Sequence, residues 1–421
     1  MKIKKIRHAR GEITVPGDKS ISHRAVMLGA LADGDTHIRG FLDGADCLST
    51  IDCMRDMGIE TERDGDRVTV HGKGLYGLRK PENTLYTGNS GTTTRLLCGI
   101  LAAQPFDTVI TGDASISKRP MGRVTKPLSL MGADIENEYC PLNIHGRPLH
   151  GIEYKMPVAS AQVKTAIILA GLYGDGETVI HELERSRDHT ELMLKAMGAN
   201  IQADGLTVRV KKTERLAPQD ITVPGDISSA AFFMVLGAIL PNSHIVIKNV
   251  GVNPTRTGII DVLKSMGADI EIENQSYSGG EPAADISVRS SKLRGTVIGG
   301  ALIPRLIDEL PVIAVAAAFA EGETVIRDAA ELRVKESDRI AAITAELKKC
   351  GVDITDSEDG MTIRGGAPIF GARLKSYGDH RMAMSLAVLA QAAEGAVCID
   401  DTDCVAISYP SFFEDIYSLD N

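Results

Sequence analysis

The chain has 421 residues, with 46 Lys and Arg against 56 Asp and Glu, and a formal charge of −10. That balance argues against nucleic acid or an acidic membrane surface as the main partner. Trp is absent and aromatics make up 4%, which leaves little material for base-stacking platforms. One hydrophobic core stops growing at roughly 250–300 residues, so two domains are expected. Seven scattered cysteines without a Cys-x-x-Cys pair point to a reducing compartment. No apolar run approaches the ~18 residues of a membrane span, and the start lacks a signal-peptide core. A soluble cytoplasmic protein is expected.

Along the chain, one pattern recurs. Val15-Pro16-Gly17-Asp18 leads into the polar cluster Lys19-Ser20-Ile21-Ser22-His23-Arg24, an apolar run Ala25–Leu31 and a β-branched strand Thr36–Arg39. A two-faced helix follows and ends at Met57-Gly58, ahead of the strand Val68–Val70. The second module opens on Gly88-Asn89-Ser90-Gly91-Thr92-Thr93-Thr94-Arg95, before Leu96–Ala102 and Thr108–Thr111. Lys118-Arg119-Pro120-Met121 then opens a helix that ends at Met131-Gly132. The third opens on Ser160-Ala161-Gln162-Val163-Lys164, before Ala166–Leu172 and Thr178–Ile180. Its second helix, Arg187–Met197, is expected to keep its charge on one face and Leu192, Met193 and Met197 for packing.

The opening motif returns 208 residues later as Val223-Pro224-Gly225-Asp226, followed by Ala231–Gly237 and His244–Ile247. Asp308-Glu309 precede Val312–Ala318 and Thr324–Ile326. Arg333-Val334-Lys335-Glu336-Ser337-Asp338-Arg339 packs five charged residues into seven, with Ser337 as the candidate cap of the next helix. Gly378-Asp379-His380-Arg381 precede Ala383–Leu389 and Val397–Ile399. This makes six βαβαββ modules, the last cut short near Tyr417, and such repetition constrains a fold tightly.

Helices apolar on every side belong inside a domain. Three modules per domain therefore predict sheets packed around buried parallel helices. One domain is expected over 19–223 and the other over 224–421 plus 1–18, joined by crossings near 15–19 and 222–226. A cleft between them is the default ligand site.

The polar clusters sit where the apolar helices begin. Helix starts present unpaired N–H groups and partial positive charge, which suit anions. Taken singly, Ser20, Asn89, Thr92 and Ser160 are equally readable as ordinary N-caps. Five such clusters in five modules, with Lys and Arg added, point to a substrate with several anionic groups. Glu336 stands beside Lys335 and Arg339, and Asp308 stands in an apolar frame. Two carboxylates in different surroundings can supply an acid and a base at one pH, although Asp308 alone is equally readable as a cap. Phosphate-loop, dinucleotide, zinc-protease and nucleophile-elbow motifs are missing, so no metal or redox cofactor is expected.

These residues resemble the enolpyruvyl transferase family. The carriers are Pro16-Gly17-Asp18-Lys19-Ser20 with Arg24, Gly88-Asn89-Ser90-Gly91-Thr92 with Arg95, Lys118–Met121, Ser160–Lys164, Arg333–Arg339 and Asp379-His380-Arg381-Met382-Ala383-Met384. The closer match is to members that act on shikimate 3-phosphate. The resemblance implies a two-domain inside-out α/β barrel, or prism, with three repeats per domain. It implies transfer of the enolpyruvyl group of phosphoenolpyruvate to the 5-hydroxyl of shikimate 3-phosphate, by a monomer without cofactors. It places Lys19, Asn89, Gly91, Arg119, Gln162, Arg339 and Arg381 on phosphoenolpyruvate. Lys19, Ser20, Arg24, Ser160, Ala161, Gln162, Arg187, Asp308 and Lys335 would hold shikimate 3-phosphate. Glu336 and Asp308 would move protons, with Lys19 or Lys335 assisting the phosphate.

Two positions depart from the family pattern. Ala161 stands where many members have a second serine, and Ile407 where many have a lysine. The competing expectations are transfer to UDP-N-acetylglucosamine, whose enzymes carry Asn where Ser20 stands, and a non-catalytic metabolite-binding repeat protein.

Overall fold

The computed structural model describes residues 1–420. The chain divides into two compact units. The first takes Gly17–Val223 together with Tyr277–Glu281; the second takes Met1–Pro16, Pro224–Ser276 and the chain from Pro282 onward. The five residues 277–281, which the repeats assign to the second half, group with the first. Gly17 and Asp18 do so as well.

The first unit holds three four-stranded sheets of one design. In the first of these, Asp220–Thr222 runs parallel to Asp33–Arg39, which pairs antiparallel with Arg67–Lys73, and that strand with Thr61–Asp64. The second repeats the order with Leu85–Tyr86, Asp107–Thr111, Leu142–His145 and Asp134–Glu136. The third uses Glu153–Lys155, Glu177–His181, Thr207–Lys211 and Ile201–Asp204.

Three helices of this unit, Lys19–Ala30, Gly91–Leu101 and Ala161–Gly171, are buried almost throughout beyond their first turns. Their apolar runs, Ala25–Ala30, Leu96–Leu101 and Ala166–Gly171, leave no polar face to offer water, so burial on every side is the favourable placement of those turns. Two of them approach very closely: a Cβ at Gly99 would lie 2.2 Å from the Ala166 carbonyl oxygen. The helices Ala45–Asp56, Gly122–Leu130 and His189–Ala196 alternate buried and exposed residues.

In the second unit, Arg10–Thr14 lies parallel to His244–Gly251 in a sheet completed by the strands Glu281–Arg289 and Asp269–Ser278, apart from their ends at 277–281. Val297–Ile298, Gly322–Ile326, Gly360–Gly365 and Asp353–Ser357 form the next. The last module is shorter, with only Arg373–Lys375 paired to Cys398–Asp400. The buried helices here are Ile227–Ile239, Leu310–Phe319 and His380–Ala392. The closing helix Phe412–Ser418 sets Phe412 edge-on against Phe232, Phe233 and Tyr409.

Five two-faced helices end on glycines at φ between 82° and 95°, namely Gly58, Gly132, Gly198, Gly267 and Gly351. That left-handed conformation carries little penalty only without a Cβ. The boundaries differ from expectation in three places. The helix anticipated from Arg187 begins at His189, because Glu182–Asp188 is held by side-chain contacts instead of helical bonds. The helix after Arg119 begins at Gly122, past Pro120. The last short strand begins at Cys398, not Val397. Among the described residues, no helix is long and apolar enough to cross a membrane.

Candidate functional site

The sequence-predicted site residues gather into two clusters, one in each unit. In the first unit most stand at the starts of the three buried helices, while Arg119 precedes the helix Gly122–Leu130 and Arg187 the helix His189–Ala196. Asp18 caps the first, its carboxylate accepting the Ile21 N–H at 2.9 Å, so Ser20 lies inside the helix and is not its cap. Lys19 Nζ is 3.1 Å from Asp46 Oδ2. Arg24, one turn on, is buried; its Nε donates to Thr190 Oγ1 at 2.7 Å and its Nη2 to Thr165 Oγ1 at 2.9 Å. Burial lowers its pKa to about 10, against Glu191 and Asp18, which favour the charge, while Arg187 adds like charge. Arg24 is therefore still cationic at neutral pH, and half-buried Arg187 contributes to the same field.

His23 points into the core. It bonds Thr50 Oγ1 at 2.7 Å, and burial pushes its pKa down to about 3. It is a neutral structural residue.

At the second helix start, Ser90 is the cap, and Asn89 and Thr92 are released for other partners. Arg119 Nη2 donates to Asn89 Oδ1 at 2.8 Å and to Ser115 Oγ at 3.2 Å. A Cβ on Gly91 would meet Arg95 Nη1 at 2.9 Å and Arg119 Nη1 at 3.4 Å. Arg95 donates to Gln162 Oε1 at 2.6 Å, and Gln162 Nε2 donates to Thr92 Oγ1 at 3.1 Å. The second and third helix starts are thereby joined side chain to side chain. Ser160 caps the third, accepting from Val163 N–H at 3.5 Å, and Ala161 follows it, half-buried.

The second unit concentrates opposite charges. Arg339 is 1% exposed and meets three carboxylates: Asp379 at 2.8 Å, Glu336 at 2.6 Å and Asp308 at 3.3 Å. Burial opposes its charge, but Glu336, Asp379 and Asp308 outweigh that and raise its pKa above the usual guanidinium value. Lys335 Nζ is 3.5 Å from the same Asp308 oxygen. Arg381 Nη1 donates to the Asp308 carbonyl at 3.2 Å and lies 3.6 Å from Glu309.

The caps here are Asp338 and Asp379. Ser337 is displaced from the role expected of it and donates to Asp379 Oδ2 at 3.0 Å. Asp308 sits in the 3₁₀ turn Ile307–Glu309 and caps nothing. Its carboxylate is left for Lys335 and Arg339. Ile407 packs against the core from the turn Asp403–Ile407 and brings no cation. Among the described residues, no group of three or more His, Cys, Asp or Glu could hold a metal ion.

Sequence reasoning left Asp379, Arg95, Asp46 and Lys164 without roles. Asp379 and Arg95 lie inside the quoted motifs. Asp46 and the carboxylates around Lys164 are distant in sequence, and only the fold brings them close.

The sequence profile of EPSP synthase (3-phosphoshikimate 1-carboxyvinyltransferase) matches residues 3–416. A 3-phosphoshikimate 1-carboxyvinyltransferase of Geobacillus kaustophilus (strain HTA426) is 59% identical over 416 residues, 97% of either chain. One from Bacillus thuringiensis subsp. konkukian (strain 97-27) is 56% identical over 413 residues, 97% of this chain and 96% of that one. A solved EPSP synthase from Acinetobacter baumannii, 48% identical, aligns with a TM-score of 0.91 over 99% of this chain and 97% of its own. On sequence and on structure alike, the chain belongs to the EPSP synthase family.

Proposed function

We propose that this protein transfers the enolpyruvyl group of phosphoenolpyruvate to the 5-hydroxyl of shikimate 3-phosphate and releases phosphate. The observation that carries the proposal is Arg339, buried among Asp308, Glu336 and Asp379 with Lys335 alongside. The chemistry needs a proton on the methylene carbon of phosphoenolpyruvate while the acceptor hydroxyl, losing its own proton, adds to the neighbouring carbon. A methyl proton and the phosphate then leave together and the double bond returns. Glu336 is assigned to the carbon and Asp308 to the hydroxyl, with Lys19 or Lys335 assisting the phosphate. Each such acid–base group contributes roughly 10²–10⁴-fold.

Arg119, Asn89, Gly91, Gln162, Lys19, Arg339 and Arg381 are assigned to phosphoenolpyruvate. Lys19, Ser20, Arg24, Ser160, Ala161, Gln162, Arg187, Asp308 and Lys335 are assigned to the acceptor. In this reading each unit is a three-module prism with its helices inside its sheets. The protein works as a cytoplasmic monomer without metal or organic cofactor.

Phosphate release from phosphoenolpyruvate, followed with each acceptor, tests the assignment. Turnover is expected with shikimate 3-phosphate and not with UDP-N-acetylglucosamine. Absence of turnover with shikimate 3-phosphate at every pH from 5 to 9 would refute it.

Gly91→Ala is a finer probe. Its methyl would press on the Arg95 guanidinium and come into contact with that of Arg119, so Arg95 must shift in the space it shares with Arg119. The expected result is a KM for phosphoenolpyruvate raised about 10-fold, the scale of one weakened charge-assisted hydrogen bond. The KM for the acceptor should stay within about twofold on the same argument. Equal changes in both would move Gly91 out of the phosphoenolpyruvate subsite.

A further inference from the structure

One buried ion cluster lies outside the chemistry assigned so far. Lys164, on the third buried helix, is 1% exposed, with its Nζ 2.5 Å from Glu182 and 2.6 Å from Glu191. The same Nζ reaches the Ser186 carbonyl at 3.5 Å. The other oxygen of Glu182 accepts the Ser186 N–H at 2.7 Å. Glu182 opens the irregular segment 182–188 between the strand Glu177–His181 and the helix His189–Ala196. Glu191 lies just beyond its end. One ammonium group therefore fastens both ends and the middle of a seven-residue connection, and Arg187 is the residue after Ser186.

The neighbour of Lys164 adds a second fastening. Thr165 Oγ1 bonds Thr190 Oγ1 at 2.7 Å, and Arg24 bonds both hydroxyls. Burial pushes the Glu191 carboxyl up while Lys164 favours its charged form, so Lys164 is what allows that carboxylate to be charged inside the fold. Ser160 caps the same helix and Gln162 lies in its first turn, just before Lys164. Whatever fixes the segment to this helix also fixes Arg187 relative to Ser160 and Gln162.

We propose that Lys164 is a positioning residue that, through Glu182 and Glu191, sets Arg187 against the phosphate of the acceptor. The proposal rests on the shikimate 3-phosphate reading above. A purely structural role for Lys164 would lower the folded fraction or the melting temperature and leave both substrate affinities alone. A positioning role acts on one substrate only.

The experiment compares wild type with Lys164→Met and Glu182→Gln. Calorimetry gives the Kd for shikimate 3-phosphate, and kinetics give both KM values. The expected result is a weakening of shikimate 3-phosphate by about 10-fold or more, the scale of misplaced binding groups, with KM for phosphoenolpyruvate within about twofold. The preference for shikimate 3-phosphate over unphosphorylated shikimate should fall by a similar factor, because the lost contact is with the phosphate. Glu182→Gln keeps the size and one hydrogen bond of the native residue, so it carries the test if Lys164→Met does not fold. Tight binding unchanged in the variants, or equal losses for both substrates, overturns the positioning role. A wild-type protein that binds no shikimate 3-phosphate instead overturns the function reading, and the positioning role falls with it.

Discussion

Replacing Glu336 by Gln is expected to lower kcat at least about 100-fold, the lower end of what a general acid contributes. Both KM values should change little. The amide keeps the shape of the side chain and can still accept from Arg339, which Glu336 meets at 2.6 Å, but it has no proton to give to carbon. The native fold should survive, because Arg339 retains Asp379 and Asp308. Steady-state kinetics with a melting curve on the same sample check this. A variant with wild-type kcat would assign the carbon proton to another residue. A large rise in KM without loss of kcat would make Glu336 a binding group.

Asp379→Ala is expected to do the greatest damage to stability. Asp379 is fully buried, pairs with Arg339 at 2.8 Å, accepts from Ser337, and caps the His380–Ala392 helix through the Arg381 N–H at 2.9 Å. Arg339 keeps Glu336 and Asp308, so losing one of its three carboxylates costs only part of the about 3–5 kcal/mol of a fully broken buried pair, and losing a cap adds about 1 kcal/mol. At roughly 2–4 °C per kcal/mol for a unit of this size, the melting temperature should fall by about 5 °C or more. Calorimetry would expose a smaller role if the loss stayed within a degree or two. Asp379→Asn separates the parts, since an asparagine still caps but cannot neutralise Arg339.

Burial alone would raise the Asp379 carboxyl. Arg339 outweighs burial and holds it below the usual carboxylate value. The folded pKa is therefore the lower one. Its stabilisation is complete above the unfolded value, near 3.9, and is lost as pH falls through the folded value. The stability gap between wild type and Asp379→Asn should be level from pH 5 to 8 and close below about pH 4. A gap that persisted in acid would place the effect in packing instead of charge.

The repeat was legible because it is written in residues with local meaning. Apolar runs have no face for water, and Gly58, Gly132 and their equivalents sit where a helix must end at positive φ. The candidate residues were legible as motifs, and within each unit some of them touch, Arg119 with Asn89 and Lys335 with Asp308. Gln162 meets Arg95, which the motifs contained but gave no role.

The finer assignments failed where several neighbours could do one job. Asp18, Ser20 and Ser22 are all able to cap, and backbone geometry selects Asp18. Likewise Asp338 displaces Ser337, and Ser90 displaces Asn89 and Thr92. Glu191 differs from the charged face expected of its helix for another reason. On its own helix it looks like part of a solvated face, yet it is buried against Lys164. No local pattern announces a partner that far away in the chain.

The glycines also mark where the protein can be engineered. A single residue inserted into a buried helix would turn everything before it by about 100° and shift it about 1.5 Å. In the Ala161–Gly171 helix that would rotate Gln162 away from Arg95 and Thr92. The hairpin tips at Gly65 and Gly205 are the opposite case, since a Cβ there meets nothing within 4 Å. Epitope tags or fluorophores belong at those two tips, where a longer chain leaves the helical register untouched.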